Sequence, residues 1–163
     1  MIQIYTGDGK GKTTAAAGLA LRAVGAGKRV AFFQFMKGRE SGEVAMLSRL
    51  GVVVDREWDG AFVVGEPTED QRRMVQLQYH RAIKAVGGLY DLVVLDEIIV
   101  ALSFGLLSEE QVLRLFEIGR CELVLTGRGA TKELIDRADL VTEMKKIKHY
   151  FDEGVAAREG IEF

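Results

Sequence analysis

The sequence is poor in cysteine, proline, tryptophan and histidine, and it lacks long apolar runs. Cys121 is the only cysteine among 163 residues, which excludes an internal disulfide and indicates a reducing compartment. With two histidines and one cysteine, the chain offers no cluster at the spacing of a zinc site. No apolar run approaches the roughly 20 residues of a membrane span. We also expect no signal peptide, because the N-terminus enters a predicted strand directly. A cytoplasmic protein without a membrane partner is therefore expected.

The composition is that of a globular protein with one domain, predicted to span residues 1–163. Hydrophobic residues make up 48% of the chain and charged residues 28%. The net charge of −2 gives no global basic field, so a nucleic-acid partner is not expected.

The first turn of the chain carries the strongest chemical signal. A short, mainly apolar strand at residues 2–5 leads into a glycine-rich loop that ends in Gly11-Lys12-Thr13 at the start of an alanine-rich helix. Glycines and a helix start present backbone N–H groups to a polyphosphate, while Lys12 reaches the outer phosphates and the Thr13 hydroxyl ligates Mg²⁺. Thr6 stands where the pattern G-x-x-x-x-G-K-[ST] requires glycine, so the strict match fails. A purely structural turn is the alternative, but the combination of strand, loop and helix predicts phosphate binding, with Lys12 as an exposed loop residue.

Strand and helix patterns alternate along the chain. Further strands are predicted at residues 29–35, 51–55, 91–96, 121–126 and 140–144, the last as a core strand, with helices at 13–25, 43–50, 68–86, 108–118 and 131–138. This alternation predicts an α/β fold with a mainly parallel sheet. Ligands of such sheets bind beyond the carboxyl ends of the strands. The segments 7–13, 37–39, 96–97 and 127–129 are therefore expected to face one another.

Those segments contain charged residues suited to Mg-ATP. Asp96 and Glu97 follow four apolar residues, as in a Walker B element, although an acid pair after a strand also serves as a helix cap. Arg128 lies between two glycines, and its guanidinium suits phosphate oxygens; Lys37 and Arg39 carry a similar argument, and all three are equally compatible with solvated loops. The residues alone predict an enzyme that binds Mg-ATP, with a P-loop ATPase acting as a regulatory or assembly switch as the alternative.

Several segments together resemble the P-loop ATP:corrinoid adenosyltransferases of the cob(I)yrinic acid a,c-diamide and cob(I)alamin type, whose loop also lacks the leading glycine. The resemblance runs in register over nearly the whole chain, and it rests on residues 6–16, 34–38, 93–97, 125–129, 138–144 and 148–161. It implies a P-loop NTPase-like (RecA-like) three-layer fold. The implied reaction transfers the 5′-deoxyadenosyl group from ATP to a reduced Co(I) corrinoid and releases triphosphate.

Site residues follow from the resemblance by position. It implies that Lys12, Thr13 and Glu97 are catalytic and that Thr13 and Glu97 hold the metal. The nucleotide is expected to contact Arg128 and the loop residues Thr6, Gly7, Asp8, Gly9, Lys10, Gly11, Lys12, Thr13 and Thr14. Asp8 stands where the family usually has asparagine, and an ionised carboxylate cannot donate a hydrogen bond to the nucleoside.

The corrinoid side of the resemblance rests on aromatic residues. The family covers the lower face of the corrinoid with aromatic side chains from an irregular segment, and Trp58 and Phe62 are the candidates here. The alternative is that both side chains fill the core beneath a loop. The chain lacks the N-terminal extension that many members place before the first strand, so a more open corrinoid site, or another way of closing it, is expected. A homodimer and a flavoprotein reductant are also expected.

Overall fold

A computed structural model describes residues 1–38, 41–58 and 63–163. The strands are β1 (Ile2–Thr6), β2 (Val30–Gln34), β3 (Val53–Arg56), β4 (Leu92–Asp96), β5 (Glu122–Thr126) and β6 (Leu140–Glu143). The helices are α1 (Lys12–Gly25), α2 (Gly42–Arg49), α3 (Glu69–Val86), α4 (Ile98–Ser103), α5 (Glu109–Ile118) and α6 (Lys132–Arg137). One turn of 3₁₀ helix follows at Tyr150–Glu153.

The strands form one sheet in the order β3-β2-β4-β5-β1-β6, and every strand pair in it is parallel. Residues of β2 and β4 are buried along their whole length, as expected for parallel strands covered on both faces. Because all six strands run the same way, the loops that follow β1, β2, β4 and β5 leave from the same edge. The α/β class predicted from the sequence is confirmed.

Alternate residues of β4 enter two different cores, one on each face of the sheet. Val93 and Leu95 belong to the cluster under α3, α4 and α5, whereas Leu92 and Val94 belong to the cluster under α1 and α2. The fold is therefore three-layered. On the α1 side, fully buried Ala16 and Ala20 have side chains small enough to bring the helix close to the sheet.

The caps of two helices agree with the sequence. Thr68 and Gln71 form a capping box at α3, and Ser108 and Gln111 form another at α5. The short helix α4 was not predicted, because its five consecutive apolar residues carry no helical period that distinguishes them from a buried strand.

The prediction of a last core strand is wrong in one respect. All four residues of β6 are exposed, and Leu140 and Val141 keep 45% and 38% of their surfaces accessible. The strand lies at the edge of the sheet, where it pairs with β1 alone among the described strands. Cys121 is half-buried just before β5, and burial raises the pKa of its thiol.

None of the helices in the part of the chain that the structure describes is both long enough and apolar enough to cross a bilayer.

Candidate active site at the carboxyl edge of the sheet

The glycine-rich loop after β1 is shaped by its contact with the chain beyond β6. The Gly9 N–H donates to the Met144 carbonyl at 2.6 Å. A Cβ atom on Gly7 or Gly9 would lie 2.6 Å from the same carbonyl oxygen, so neither position accepts a side chain without a shift. Gly7 and Gly11 also adopt φ values of +97° and +118°, which favour glycine. Position 6 does not require glycine, because Thr6 belongs to β1 and its hydroxyl accepts the Ala130 N–H at 3.4 Å.

Lys12 is folded into the loop. Its ammonium donates to the carbonyls of Gly7 at 2.6 Å and Gly9 at 2.8 Å, and only 7% of the residue is exposed. The prediction that Lys12 is an exposed loop residue is therefore wrong, because the loop folds back so that its carbonyls contact the ammonium. Burial is the main cause that lowers the pKa of the ammonium, and the nearby carboxylate of Glu97 opposes that shift. The loop thus holds a poorly hydrated positive charge at its centre.

A hydrogen-bond network ties the start of α1 to the ends of β4 and β5. Asp96 is fully buried, and one of its oxygens accepts the Thr13 hydroxyl at 2.9 Å and the Thr126 hydroxyl at 2.7 Å. The other oxygen accepts the Lys37 ammonium at 2.8 Å, and the same ammonium donates to the Thr13 hydroxyl at 2.8 Å. The Thr126 hydroxyl in turn accepts the Glu97 N–H at 2.9 Å. The carboxylate of Asp96 therefore lies within the network, whereas Glu97 joins it through its backbone N–H.

Glu97 lies beside this network rather than within it. Its backbone adopts φ +61°, a left-handed conformation that is uncommon outside glycine. Burial and the neighbouring Asp96 raise the pKa of the Glu97 carboxyl, against the opposing charges of Lys37, Lys12 and Arg128. The neighbouring positive charges thus compensate the charge of the carboxylate only in part, and a further cation would stabilise its charged form.

The oxygen donors at this edge fit Mg²⁺. Among the described residues, no three histidine, cysteine, aspartate or glutamate side chains form a metal-binding group. Mg²⁺ does not need such a cage, because it commonly takes one or two carboxylates together with substrate phosphates and water. The Thr13 hydroxyl and the carboxylates of Asp96 and Glu97 supply hard oxygen donors of that kind.

Loop and strand ends together enclose a polar cavity of about 550 Å³. Its wall includes Lys37, Glu97 and Arg128 together with the loop residues Gly9, Lys10, Gly11, Lys12, Thr13 and Thr14. The segments that were expected to face one another therefore do so, apart from Arg39, which lies outside the described residues.

The C-terminal tail closes one side of this polar cavity. Residues 160–163 line the wall, and the Lys10 ammonium donates to the Ile161 carbonyl at 2.9 Å. Glu162 is held in place by Arg158 and by the hydroxyl of Tyr150. Sequence reasoning assigned no contact to these tail residues, since nothing in their spacing shows that they return to the loop.

A second, more apolar cavity of about 240 Å³ adjoins the first. Trp58, Val63, Val100 and Phe104 contribute to its wall, together with Met36, Lys37 and Glu97. Lys37 and Glu97 thus line both cavities. Phe104 was missed because it follows the unpredicted helix α4, far along the chain from Trp58. Phe62, the other predicted aromatic residue, lies outside the described residues.

Comparison with known proteins agrees with this arrangement. The family model described as ATP:corrinoid adenosyltransferase BtuR/CobO/CobP matches residues 1–163. The chain belongs to this family. It is 37% identical to the corrinoid adenosyltransferase CobA of Salmonella typhimurium, covering 100% of this chain and 85% of that protein. It is 36% identical to the corrinoid adenosyltransferase of Pseudomonas aeruginosa, covering 100% and 83% respectively.

A solved structure supports the fold of this adenosyltransferase family member. The RadB recombinase superposes with a TM-score of 0.51 at 20% identity, covering 91% of this chain and 75% of that chain. This likeness concerns the fold alone, and the P-loop three-layer architecture predicted from the sequence is confirmed.

The predicted site residues of this family member differ in position. Gly9 to Thr14, Glu97 and Arg128 line the polar cavity, and Trp58 lines the apolar one. Thr6 ends β1 and Gly7 begins the loop, and neither lines the cavity. Asp8 is exposed and also lies outside the cavity wall. Their contacts with substrates, and the extent of the domain, stay predictions.

Proposed function

We propose that this protein transfers the 5′-deoxyadenosyl group of ATP to the Co(I) centre of a corrinoid and releases triphosphate. One observation carries the proposal beyond family membership: a polar, glycine-rich cavity and an aromatic cavity share Lys37 and Glu97 as a common wall. A phosphate chain in the first cavity would present its sugar toward the second. An ATPase that only cleaves phosphates has no need for the second cavity.

The reaction balances without a protein nucleophile. The Co(I) centre of the substrate supplies an electron pair to the ribose C5′, forming a cobalt–carbon bond. The C5′–oxygen bond breaks, and the triphosphate leaves with that bond's electron pair. The task of the protein is therefore to position the two substrates and to stabilise charge on the leaving group.

Lys12 and the loop amides are suited to the leaving group. The Lys12 ammonium already lies at the centre of the loop, bound to two carbonyls. Exchanging those carbonyls for phosphate oxygens would replace neutral acceptors by charged ones, which form stronger hydrogen bonds. Lys10 and Arg128 line the same wall and would extend the positive surface along the triphosphate.

Thr13 and Glu97 would hold Mg²⁺. Support comes from the different exposure of the two acids, because Glu97 reaches the wall of both cavities whereas Asp96 is buried and engaged with Thr13, Thr126 and Lys37. When bound, the ion would neutralise charge on the departing triphosphate. Asp96 would orient the Thr13 hydroxyl from behind.

The apolar cavity, whose wall includes Trp58 and Phe104, would receive the corrinoid. Trp58 packs against the core at one side, and Phe104 leaves 42% of its surface accessible at the other. Exposed aromatic surface suits the face of a large flat macrocycle, and it would exclude water from the lower face of the cobalt. The cavity volume of about 240 Å³ admits only part of a tetrapyrrole, so most of the ring would lie outside it.

Two further partners are proposed from the family resemblance. We expect a homodimer, which sedimentation at micromolar concentration would reveal. We also expect a flavoprotein to supply the electron for Co(I), and a reduced flavoprotein should replace a chemical reductant in the assay.

The decisive assay combines the protein with ATP, Mg²⁺ and chemically reduced cobalamin. The expected products are adenosylcobalamin, followed by absorbance, and triphosphate in equal amount. Formation of ADP and phosphate without a cobalt–carbon bond would instead identify a phosphate-cleaving switch. Omitting the reductant is the matched control, because neither Co(III) nor Co(II) can attack C5′ as a two-electron nucleophile.

A further inference from the structure

Lys37 has no role in the reaction as described so far, although it lies at its centre. It follows β2, and its ammonium lies 2.8 Å from the Thr13 hydroxyl oxygen and 2.8 Å from an Asp96 carboxylate oxygen. Thr13 is the residue proposed to ligate Mg²⁺. A protein cation therefore already contacts a proposed metal ligand.

The position of Lys37 has an electrostatic cause. Asp96 is fully buried, and a buried carboxylate is costly unless it is paired and hydrogen-bonded. Two hydroxyls donate to one of its oxygens, from Thr13 and Thr126, but neither supplies a positive charge. Lys37 supplies that charge at the other oxygen. The charge of Asp96 is thus balanced by a side chain of the protein itself.

The same contact conflicts with metal binding. The Thr13 hydroxyl directs its proton to Asp96 and accepts the Lys37 ammonium, so a lone pair that a metal would use is engaged. A divalent ion bound to this oxygen would also lie close to the ammonium and repel it. Lys37 and the metal therefore compete for Thr13.

A displaced Lys37 has a second acceptor within reach. Its side chain is 30% exposed and lines the polar cavity together with Lys12 and Thr13. A rotation about the side-chain bonds would bring the ammonium to a phosphate oxygen in that cavity without moving the backbone.

We propose that Lys37 is a positioning residue that exchanges partners. In the structure its ammonium donates to both the Thr13 hydroxyl and the Asp96 carboxylate, which are hydrogen-bonded to each other. When Mg²⁺ and a triphosphate enter together, the ion takes Thr13 and Lys37 turns to the triphosphate. The identity of that ligand rests on the proposed function, whereas the exchange itself rests on the observed contacts.

This exchange makes opposite predictions for metal alone and for metal with triphosphate. Lys37→Met should bind Mn²⁺ more tightly than the unaltered protein when no nucleotide is present, by about tenfold, because the competing charge is gone. The same variant should bind Mg²⁺-tripolyphosphate about tenfold more weakly, because a charge-assisted hydrogen bond is lost. Lys37→Arg keeps the charge and should retain weak Mn²⁺ binding.

The measurements are Mn²⁺ titration by electron paramagnetic resonance and tripolyphosphate titration by calorimetry. Lys84→Met is the control, because it removes one exposed positive charge from the last turn of α3. A Lys37→Met/Thr13→Val protein should lose the gained Mn²⁺ affinity if the ion binds where we infer. Unchanged or weaker Mn²⁺ binding by folded Lys37→Met overturns the proposal, as does unchanged tripolyphosphate binding.

A measurement on the unaltered protein covers the case in which Lys37→Met does not fold. The ¹³Cε resonance of Lys37, assigned by its absence from the Lys37→Arg spectrum, should shift when Mg²⁺ and tripolyphosphate are added together. A stationary resonance at saturation overturns the exchange. None of these experiments contains a corrinoid, so failure of adenosyl transfer and failure of this inference are separate results.

Discussion

The two sides of the site are built in different ways. On the phosphate side, Lys12, Thr13 and Asp96 are fixed by hydrogen bonds of 2.6–2.9 Å and are largely buried. On the aromatic side, Trp58 and Phe104 form part of an open apolar wall, and Phe104 is 42% exposed. Phosphate oxygens require donors in fixed directions, whereas a flat macrocycle needs accessible apolar surface. The difference in hydrogen bonding between the two sides is therefore the one expected if the proposed ligands bind there.

Replacing Lys12 should have the largest effect on turnover, through the phosphate side of the site. In Lys12→Met we expect turnover to fall by roughly 10²–10³, the loss typical of one preorganised donor to a charged transition state. The aromatic side should keep its affinity for the corrinoid. Steady-state kinetics with each substrate varied separately tests both expectations.

Thermal unfolding serves as the control for Lys12→Met. The Lys12 ammonium is held by two loop carbonyls, so a modest fall in the unfolding temperature is expected. Loss of the folded state at assay temperature, or unchanged turnover, would contradict the role assigned to this side chain.

The two acids after β4 should separate stability from activity. Asp96→Asn leaves the Lys37 charge unpaired and removes a buried acceptor, so we expect a loss of about 3 kcal/mol in unfolding free energy as well as a loss of activity. Glu97→Gln should lower turnover by at least about tenfold without that loss of stability. The pKa of Glu97 is raised in the folded protein, so the charged carboxylate destabilises the fold at neutral pH. Removing that charge in Glu97→Gln should therefore not lower the unfolding free energy.

Denaturant unfolding and turnover of both variants give the measurement. Similar losses of unfolding free energy in Asp96→Asn and Glu97→Gln would contradict the expectation that only Asp96 contributes to stability.

Phe104 tests the aromatic side alone. Phe104→Ala should raise KM for the corrinoid by about tenfold, as expected for an aromatic contact of this size, and leave KM for ATP unchanged. Leu89→Ala is a matched control, because Leu89 is 77% exposed and is not part of either cavity wall. An equal rise in both KM values for Phe104→Ala would place this residue on the phosphate side instead.

The smallest expected effect concerns the tail that covers the phosphate side. Hydrogen bonds from Arg158 and Tyr150 lower the pKa of Glu162 to about 2. A depressed carboxyl pKa stabilises the folded state above the ordinary glutamate value, and this contribution disappears as pH falls toward the folded value. The unfolding temperatures of the unaltered protein and Glu162→Gln should therefore differ above pH about 4.5 and converge toward pH 2.

Calorimetry across that pH range is the measurement. A difference between the two proteins that does not change with pH would show that the Glu162 charge does not hold the tail.

The phosphate side was predicted from the sequence because its signal is local. Strand, loop, Lys12 and Thr13 are consecutive, and the Thr68–Gln71 capping box fixed the start of α3 in the same local way. Burial of Lys12 was not predicted, since it depends on how the loop curls over itself.

The features that the sequence did not reveal depend on contacts between distant segments. Phe104 and Trp58 line one cavity only because β3, which precedes Trp58, and β4 both pair with β2 in the sheet. Ile161 meets Lys10 only because the tail returns across the loop. The edge position of β6 likewise follows from strand order, which hydrophobicity along the chain does not encode.

The contact between Gly9 and Met144 has a mechanical consequence. The glycine loop takes its curvature from a carbonyl that directly follows β6, and β6 is an edge strand. Any displacement of the end of β6 would move this carbonyl and change the hydrogen bond that it accepts from Gly9. The position of the edge strand β6 and the shape of the glycine-rich loop are therefore coupled through a single backbone hydrogen bond.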